Sequence, residues 1–284
     1  MNSEPEMEPV VAQAQAGNKA ALESLISRVQ PAVYNLALRM LWHPIDAEDA
    51  SQEILIKVMT HLSQFRGESS FTTWVYQIAT RHLLTTRKRR AELQPLSFEQ
   101  FGEKLEQQMD ETATSFASSQ PEQRLLLEEV QFRCTLGMLL CLDREHRLAY
   151  ILGAILEMDS NQGATITATT PANFRQRLSR ARARLRGFME SECGLVDPKN
   201  PCRCEKQLGY KVLHEKLASN RLLFAGKPLI PMDGEVDVRK GMLDLQEIDR
   251  TVALYRDLPE YAVPETLLEA IKQLLNSGKF EILK

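Results

Sequence analysis

The sequence predicts a mainly α-helical protein: two small helical domains joined by an acidic linker, and a mostly helical C-terminal extension with room for a short hairpin. Leu, Ala, Arg, Glu and Gln dominate, and these residues favour helices. Aromatic residues make up only 6% of the 284 residues, and long alternating β-branched runs are scarce, so extended sheets are not expected. Apolar residues instead recur at spacings of three and four, which is the helical period.

Residues 1–90 are predicted to form the first domain. Ala20–Val29 and Ala32–Trp42 read as two apolar-periodic helices separated by Pro31. The second should end at His43, because a residue before proline disfavours the helical conformation.

A further helix is expected to begin with Asp46 as its cap. Ala50, Ile54 and Val58 share its apolar face. The polar residues that remain for solvent or a partner are Asp49, Gln52, Glu53 and Lys57.

The last helix of this domain is predicted from Phe71 to about Arg87, after a loop that contains Gly67. Trp74, Gln77 and Arg81 lie roughly along one face. A cationic face with an aromatic ring is suited to holding single-stranded or melted DNA. A core position for Trp74 and cations that complement the helix dipole are the alternative interpretations.

Residues 91–121 are rich in Glu, Gln, Ser and Thr and are predicted to be an acidic, partly helical linker. Residues 122–189 are predicted to form a second helical domain. Leu148–Leu156 reads as a short apolar helix, and Thr170-Pro171 should open another, because threonine caps helices and proline suits their first position.

The helix that starts at Pro171 combines an apolar stripe with arginines and contains no acid up to Phe188. Its basic residues are Arg175, Arg177, Arg180, Arg182, Arg184 and Arg186. Guanidinium groups on one helix face suit phosphate contacts and guanine readout in a major groove. A helix, a turn and this helix would form a helix-turn-helix unit. A merely solvated basic surface is the alternative.

Residues 190–284 form the C-terminal extension. Residues 225–241 read as a loop that can hold the hairpin, and amphipathic helices are expected around Asp244–Tyr255 and Pro264–Asn276.

The extension opens with a cysteine cluster. Cys193, Cys202 and Cys204, with His214 further along, offer thiolates and an imidazole that suit Zn²⁺. Zinc binding, redox sensing and ordinary reduced cysteines all remain open, because the spacing is not a standard pair. Cys134 and Cys141 are expected to lie in a core.

Three stretches occur in an order typical of one family: DAEDASQEI, FRGESSFTTW and RKRR within residues 31–90, followed by RLSRARARLRGFM within residues 122–189. The first set closely resembles region 2 of extracytoplasmic-function sigma factors of the sigma-70 family, and the last stretch resembles their region 4. The resemblance covers about two-thirds of the chain.

The resemblance implies a role for each matching residue. The face that would bind the polymerase clamp helices comprises Asp46, Asp49, Gln52, Glu53 and Lys57. The residues that would open and hold the minus-ten element are Ser69, Ser70, Phe71, Trp74, Gln77, Arg81, Arg87, Lys88, Arg89 and Arg90. Those that would contact the minus-35 element are Asn173, Arg175, Arg177 and Arg180.

Two departures from the family pattern affect these expectations. The run from Ile166 to Pro171 lacks the turn glycine that the family often has, which should weaken the first helix of the helix-turn-helix unit. Thr85-Thr86 replaces a more usual Asp- or Asn-rich pattern, so an unusual promoter preference is expected.

The resemblance implies core RNA polymerase and promoter DNA as partners, with no required cofactor. The extension is expected either to fold back and inhibit the sigma domains or to leave regulation to an anti-sigma protein. A helix-turn-helix regulator that acts without polymerase, and a metal or redox sensor, are the alternatives. An enzyme that uses a Cys–His pair is disfavoured, because no activating base is recognisable.

The first residues are acidic and lack the apolar region of a signal peptide. Leu148–Leu156 is too short to span a bilayer. We therefore expect a cytoplasmic protein that does not bind membranes.

Overall fold

A computed structural model of the chain describes residues 7–87, 97–109, 121–215, 217–225, 247–256 and 260–276. Across these ranges the regular elements are helices and no strand is formed, which confirms the predicted mainly α-helical fold. In chain order the helices are α1 (Glu8–Gln15), α2 (Lys19–Leu41), α3 (Pro44–Thr60), α4 (Phe71–Thr85), α5 (Phe98–Gln107), α6 (Pro121–Leu139), α7 (Arg144–Tyr150), α8 (Ser160–Ile166), α9 (Pro171–Glu192), α10 (Cys204–His214), α11 (Glu247–Arg256) and α12 (Glu265–Asn276).

The chain divides into two compact units. The first comprises Met1–Arg89, Asp159–Phe174 and Glu260–Lys284, and the second comprises Arg90–Met158 and Arg175–Pro259. Residues 122–189 therefore contribute to both units, and the domain boundaries drawn from the sequence stay a prediction.

In the first unit, α2 packs against α1 and α3 and is longer than expected. The predicted break at Pro31 is wrong, because Pro31 lies inside α2. Proline removes one backbone hydrogen bond from a helix. Leu25 and Ile26 before it and Val33 after it are nevertheless buried, each stabilising the fold by about 1.5–3 kcal/mol. Together they outweigh the local cost of the proline.

The start of α3 also differs from the prediction. The helix begins at Pro44, with His43 rather than Asp46 at the cap position. Proline is favoured at the first helical position because its φ angle already suits a helix. Asp46 consequently lies inside the first turn, where its charge complements the helix dipole and its surface is only 3% exposed.

The segment from α8 to α9 carries the predicted helix–turn–helix order. The backbone N–H of Asn173 donates to the Thr170 hydroxyl at 3.2 Å, so the predicted cap is confirmed. A Cβ at Gly163 would lie 2.2 Å from the Phe174 ring, so this contact requires glycine. In the turn, Ala168 has φ 50°, a left-handed conformation that favours glycine. Because the turn lacks a glycine, an alanine adopts this left-handed conformation.

In the second unit, α5 lies within the predicted linker, and α7 continues into a π-helical turn at Ile151–Ile155. Glu129 on α6 is fully buried, and it accepts a hydrogen bond from Arg133 Nε at 2.6 Å. The backbone N–H groups of Leu223, Phe224 and Ala225 also donate to its carboxylate, each at 2.8 Å. This carboxylate anchors the extension on α6.

The closing helices of the extension form near their predicted positions, as α11 and α12. Most of the stretch predicted to hold a hairpin lies outside the described residues, as do residues 226–246 as a whole.

Candidate functional site

The first candidate surface is the outward face of α3. Asp49, Glu53 and Lys57 are exposed and Gln52 is half-buried, as the helical pattern predicts. Asp46 departs from this set, because it is buried and one of its carboxylate oxygens meets no hydrogen-bond donor among the described residues. The accessible part of the predicted face therefore comprises Asp49, Gln52, Glu53 and Lys57.

His82 on α4 positions two members of this face. Lys57 Nζ lies 2.7 Å from His82 Nδ1, and Glu53 Oε2 lies 3.6 Å from His82 Nε2. His82 itself is only 5% exposed. No role was predicted for His82 from the sequence. Its contacts cross from α4 to α3, so no local spacing could have revealed them.

The second candidate surface is an aromatic pocket at the start of α4. The ring centroids of Phe65, Phe71 and Trp74 lie 5.5–5.7 Å apart. Phe65 and Trp74 border an open pocket of about 680 Å³. Its lining residues are Ser63, Gln64, Phe65, Arg66, Glu68, Ser69, Trp74, Gln77 and Thr165. Such a pocket offers a stacking surface for a planar ring and polar groups around it.

The predicted residues of this loop have different positions. Ser69, Trp74 and Gln77 line the pocket. Ser70 caps α4, since its hydroxyl accepts from the backbone N–H of Thr73 at 3.1 Å. Phe71 is 4% exposed and its ring contacts those of Phe65 and Trp74. The sequence reasoning missed Phe65, although an aromatic residue directly before Arg66 and the glycine loop was a visible signal.

One side of α4 is held against the end of α8. Gln77 Nε2 donates to the Thr165 carbonyl at 3.2 Å, and the Thr80 hydroxyl donates to the Ile166 carbonyl at 3.0 Å. These carbonyls belong to the last turn of α8, whose acceptors have no partners within the helix. Gln77, a predicted DNA contact, is thus engaged within the first unit.

The basic segment after α4 is only partly described. Arg81 and Arg87 are exposed. Lys88, Arg89 and Arg90 lie outside the described residues, so their predicted role stays a prediction.

The third candidate surface is α9. Asn173, Arg175 and Arg180 are exposed, whereas Arg177 is half-buried and pairs with Glu145 at 2.7 Å. Of the other arginines, Arg182 donates to the Gly153 carbonyl at 3.2 Å.

Arg184 makes a different contact, since its guanidinium carbon lies 5.4 Å from the Phe98 ring centroid, a cation–π distance. Three arginines of α9 therefore make contacts within the second unit: Arg177, Arg182 and Arg184, which is itself exposed. The sequence of α9, which contains no acidic residue up to Phe188, could not reveal these contacts, because Glu145 and Phe98 come from other helices.

The candidate metal residues are only partly brought together. Cys193, Cys202 and Cys204 line one cavity of about 350 Å³, and Cys134, expected in a core, lines it as well. His214 instead lies at the other end of α10 and stacks on Tyr210, with ring centroids 4.4 Å apart. No three candidate ligand side chains in the described part of the chain are already close enough together to hold a metal ion.

The cavity thiols share an environment that disfavours charge. Burial raises the pKa of Cys202 to about 11, with the Cys193 thiol adding to the effect. Burial and neighbouring thiols likewise raise the pKa values of Cys134 and Cys204. Thiols with raised pKa values are poor nucleophiles at neutral pH.

None of the described helices combines the length and the apolar character needed to cross a membrane.

Comparison with known proteins identifies the first part of the chain. Residues 25–92 match the family profile of sigma-70 region 2, and this range contains α3, α4 and most of α2. The RNA polymerase sigma-H factor of Pseudomonas aeruginosa is 34% identical over 79 residues, which cover 28% of this chain and 41% of that protein. The ECF RNA polymerase sigma-E factor of Haemophilus influenzae is 39% identical over 84 residues, covering 28% and 44% respectively.

A longer but weaker match extends beyond region 2. The RNA polymerase sigma factor YlaC of Bacillus subtilis is 27% identical over 172 residues, which cover 61% of this chain and 94% of that protein. The chain spans less than half the length of the two relatives with higher identity. Among solved structures, CnrH in complex with the cytosolic domain of CnrY gives a TM-score of 0.44 at 23% identity, covering 64% of this chain and 96% of that one.

Proposed function

We propose that this chain, a member of the extracytoplasmic-function group of the sigma-70 family, is an alternative sigma factor that binds core RNA polymerase and directs promoter recognition, strand opening and transcription initiation. The observation that carries the proposal is the region 2 match at residues 25–92, which contains the charged face of α3 and the aromatic rings Phe65, Phe71 and Trp74. Sigma factors are regulatory proteins, and we assign no catalytic step and no required cofactor to this activity. Cytoplasmic localisation follows from the proposed polymerase partner.

The experiment is transcription in vitro on a library of genomic fragments, with core RNA polymerase in the presence and absence of the full chain. We expect transcripts whose start sites appear only when the chain is added. A complete lack of chain-dependent starts, with a folded chain and an active core enzyme, would overturn the proposal.

For polymerase binding we propose the exposed residues Asp49, Glu53 and Lys57, with Gln52 beside them. His82 supports this assignment because its contact with Lys57 Nζ restrains that side chain, and restrained side chains lose less conformational entropy on binding. We propose that Asp46 acts indirectly, by stabilising the start of α3.

For strand opening we propose that the pocket at Phe65, Trp74 and Ser69 receives an unstacked base. Stacking on an aromatic ring contributes about 1–3 kcal/mol per base. Arg81, Arg87 and the following basic residues would contact the backbone of the same strand, where cations release counterions. Gln77 would also have to exchange its contact with Thr165 for DNA.

For upstream recognition we propose α9, with Asn173, Arg175 and Arg180 as the exposed contacts. Arg177 is the fourth predicted contact, and its ion pair with Glu145 would have to open for it to reach DNA. A regulator that binds duplex DNA without polymerase would also use this helix. It would leave the aromatic pocket of α4 without a role, and duplex binding by the chain alone would favour it.

We also propose that the extension restrains the polymerase-binding region. Helix α12 packs on α2 and α3, with Leu267, Ile271 and Leu275 buried. The Thr266 hydroxyl bonds to Glu48, which lies one turn before Gln52 on α3. Helix α12 therefore borders the proposed polymerase-binding face.

Two polar residues of α2 have partners immediately before α12. The Asn35 amide donates to the Tyr261 carbonyl at 2.9 Å, and its oxygen accepts from the Tyr261 N–H at 2.9 Å. Burial lowers the pKa of Arg39, and the charge of Glu260 acts in the opposite direction. These matched contacts support self-inhibition over regulation by a separate anti-sigma protein alone.

The test replaces Leu267 and Ile271 together by glutamate and measures the affinity of the full chain for core polymerase. We expect tighter binding than for the wild type, because α12 no longer packs beside the proposed polymerase-binding face. The exposed substitution Gln273→Glu is the control. Unchanged or weaker binding by a folded double variant would contradict self-inhibition.

A zinc site in the extension is a separate proposal that this activity does not require.

A further inference from the structure

Four of the five cysteines in the chain line a single cavity, although they come from three separate segments. Cys134 belongs to α6, Cys193 follows α9, and Cys202 and Cys204 stand at the start of α10. The cavity lies within the second unit and has a volume of about 350 Å³. Cys141, the fifth cysteine, does not line it. Packing alone gives no reason for four cysteines from three segments to line the same cavity.

The backbone holds two of these cysteines side by side. Cys193 and Cys202 form a parallel bridge, and the Gly194 N–H donates to the Cys202 carbonyl at 3.2 Å. A Cβ at Gly194 would lie 2.4 Å from that carbonyl oxygen. Only glycine permits this close approach of the two backbone segments, which places Cys193 and Cys202 side by side.

Side chains fix the rest of the loop. Asn200 Nδ2 donates to the carbonyl of Glu190 at 2.8 Å and to that of Cys193 at 3.2 Å, which satisfies acceptors at the end of α9. Arg203 donates to the Cys202 carbonyl at 3.0 Å and bonds to the carbonyls of Pro198 and Asn200. The loop is therefore preorganised around its cysteines, with a cation next to them.

We propose that Cys134, Cys193, Cys202 and Cys204 together bind one zinc ion. Four thiols release four protons and coordinate Zn²⁺ as thiolates, leaving a site with charge −2 that Arg203 partly balances. Four sulfur ligands close a tetrahedral site, so the zinc is structural and has no open position for a substrate. The site ties α6 to the end of α9 and the start of α10.

The fourth proposed zinc ligand is Cys134, not His214, which the sequence had suggested. Helix α10 has 11 residues, so Cys204 and His214 at its two ends are separated by about 15 Å. No histidine lines the cavity, whereas Cys134 does. The ligand set is therefore Cys₄ rather than Cys₃His.

The sulfurs must approach one another on binding, since Zn–S bonds are about 2.3 Å long. A cysteine side chain moves by rotation about a single torsion between staggered positions. The 350 Å³ cavity that the four cysteines line gives their side chains space for such a rotation.

The first measurement is the metal content of the full chain, purified without chelators, together with X-ray absorption of the zinc-loaded wild type. We expect one zinc per chain and four sulfur neighbours. A chain that binds no zinc in the presence of excess metal would overturn the proposal, as would three sulfurs and one nitrogen.

The second measurement is zinc affinity in competition with a chromophoric chelator. Cys134→Ser should weaken binding by at least about 10–100-fold, the effect of losing even an outer partner of a metal ligand. Cys141→Ser is the matched control and His214→Ala tests the alternative ligand; both should bind as the wild type. Equal losses in Cys134→Ser and Cys141→Ser, or a loss in His214→Ala alone, would overturn the ligand set. The X-ray absorption result stands even if Cys134→Ser fails to fold, and neither measurement depends on promoter activity.

Discussion

The region 2 segment and the C-terminal extension are held in place by different kinds of contact. The described residues of this segment, 25–87, fold around a continuous apolar core in which Leu25, Ile54 and Leu83 are completely buried. The extension has buried apolar residues as well, among them Leu208, Leu217 and Leu267. It differs in that buried polar groups also attach it: Glu129 binds three backbone N–H groups, and Asn35 pairs with the backbone of Tyr261. Apolar cores tolerate change gradually, whereas a buried polar contact is lost with a single atom.

The largest effect is expected for Glu129→Gln. The amide lacks the charge that holds Arg133 and the N–H groups of residues 223–225, and breaking a buried charged network costs about 3–5 kcal/mol. Hydrogen exchange should show loss of protection at Leu223, Phe224 and Ala225. Glu128→Gln, on the neighbouring exposed residue, should change stability by about 0.5 kcal/mol or less. Equal effects of the two variants would contradict the anchoring role.

Leu25→Ala probes the apolar region. Removing a fully buried leucine costs about 2–5 kcal/mol through lost burial and the cavity that remains. Chemical denaturation followed by hydrogen exchange should place the loss in α2 and α3. If protection fell first at residues 223–225, the assignment of separate stabilising contacts to the two regions would be wrong.

Asn35→Ala should cost about 1–3 kcal/mol, because the buried N–H and carbonyl of Tyr261 lose their partner. The exchange of amides in α12 should accelerate more than that of amides in α4. Asn276→Ala is the control at the other end of α12, where an exposed contact with Lys19 contributes little. An N35A variant with unchanged exchange in α12 would show that the apolar stripe alone attaches this helix.

The smallest expected effect is a gain. Ala168→Gly relieves a left-handed backbone at φ 50° and should stabilise the turn between α8 and α9 by about 0.5–1 kcal/mol, less the extra entropy of the unfolded glycine chain. The thermal midpoint of the first unit should rise slightly. A lower midpoint would mean that Ala168 packs better than its backbone angle suggests.

The parts of the fold that could be predicted from the sequence are those that depend on neighbouring residues. The periodic apolar residues of α2, α3 and α12 and the Thr170-Pro171 helix start were visible, because each signal is local. The break at Pro31 and the cap at Asp46 were predicted wrongly, since packing along α2 and the proline at Pro44 decided those positions.

In the candidate sites, too, local features could be predicted and contacts between distant residues could not. The charged face of α3, the loop that contains Gly67 and the aromatic residue Trp74 after it could be named from the sequence. The His82 contacts, the ion pair of Arg177 and the position of Cys134 beside the loop cysteines join residues that are far apart in the chain. No spacing rule encodes such pairs.

The most direct test of the central proposal is promoter opening, measured by permanganate reactivity of unpaired thymines at a promoter found in the transcription experiment. Opening should require both core polymerase and the full chain. Trp74→Ala should reduce it about 5–100-fold, the loss of one stacked base, while Trp74→Phe should largely preserve it. Reactivity that is absent with both proteins present, or that is unchanged in a folded W74A variant, would contradict the account.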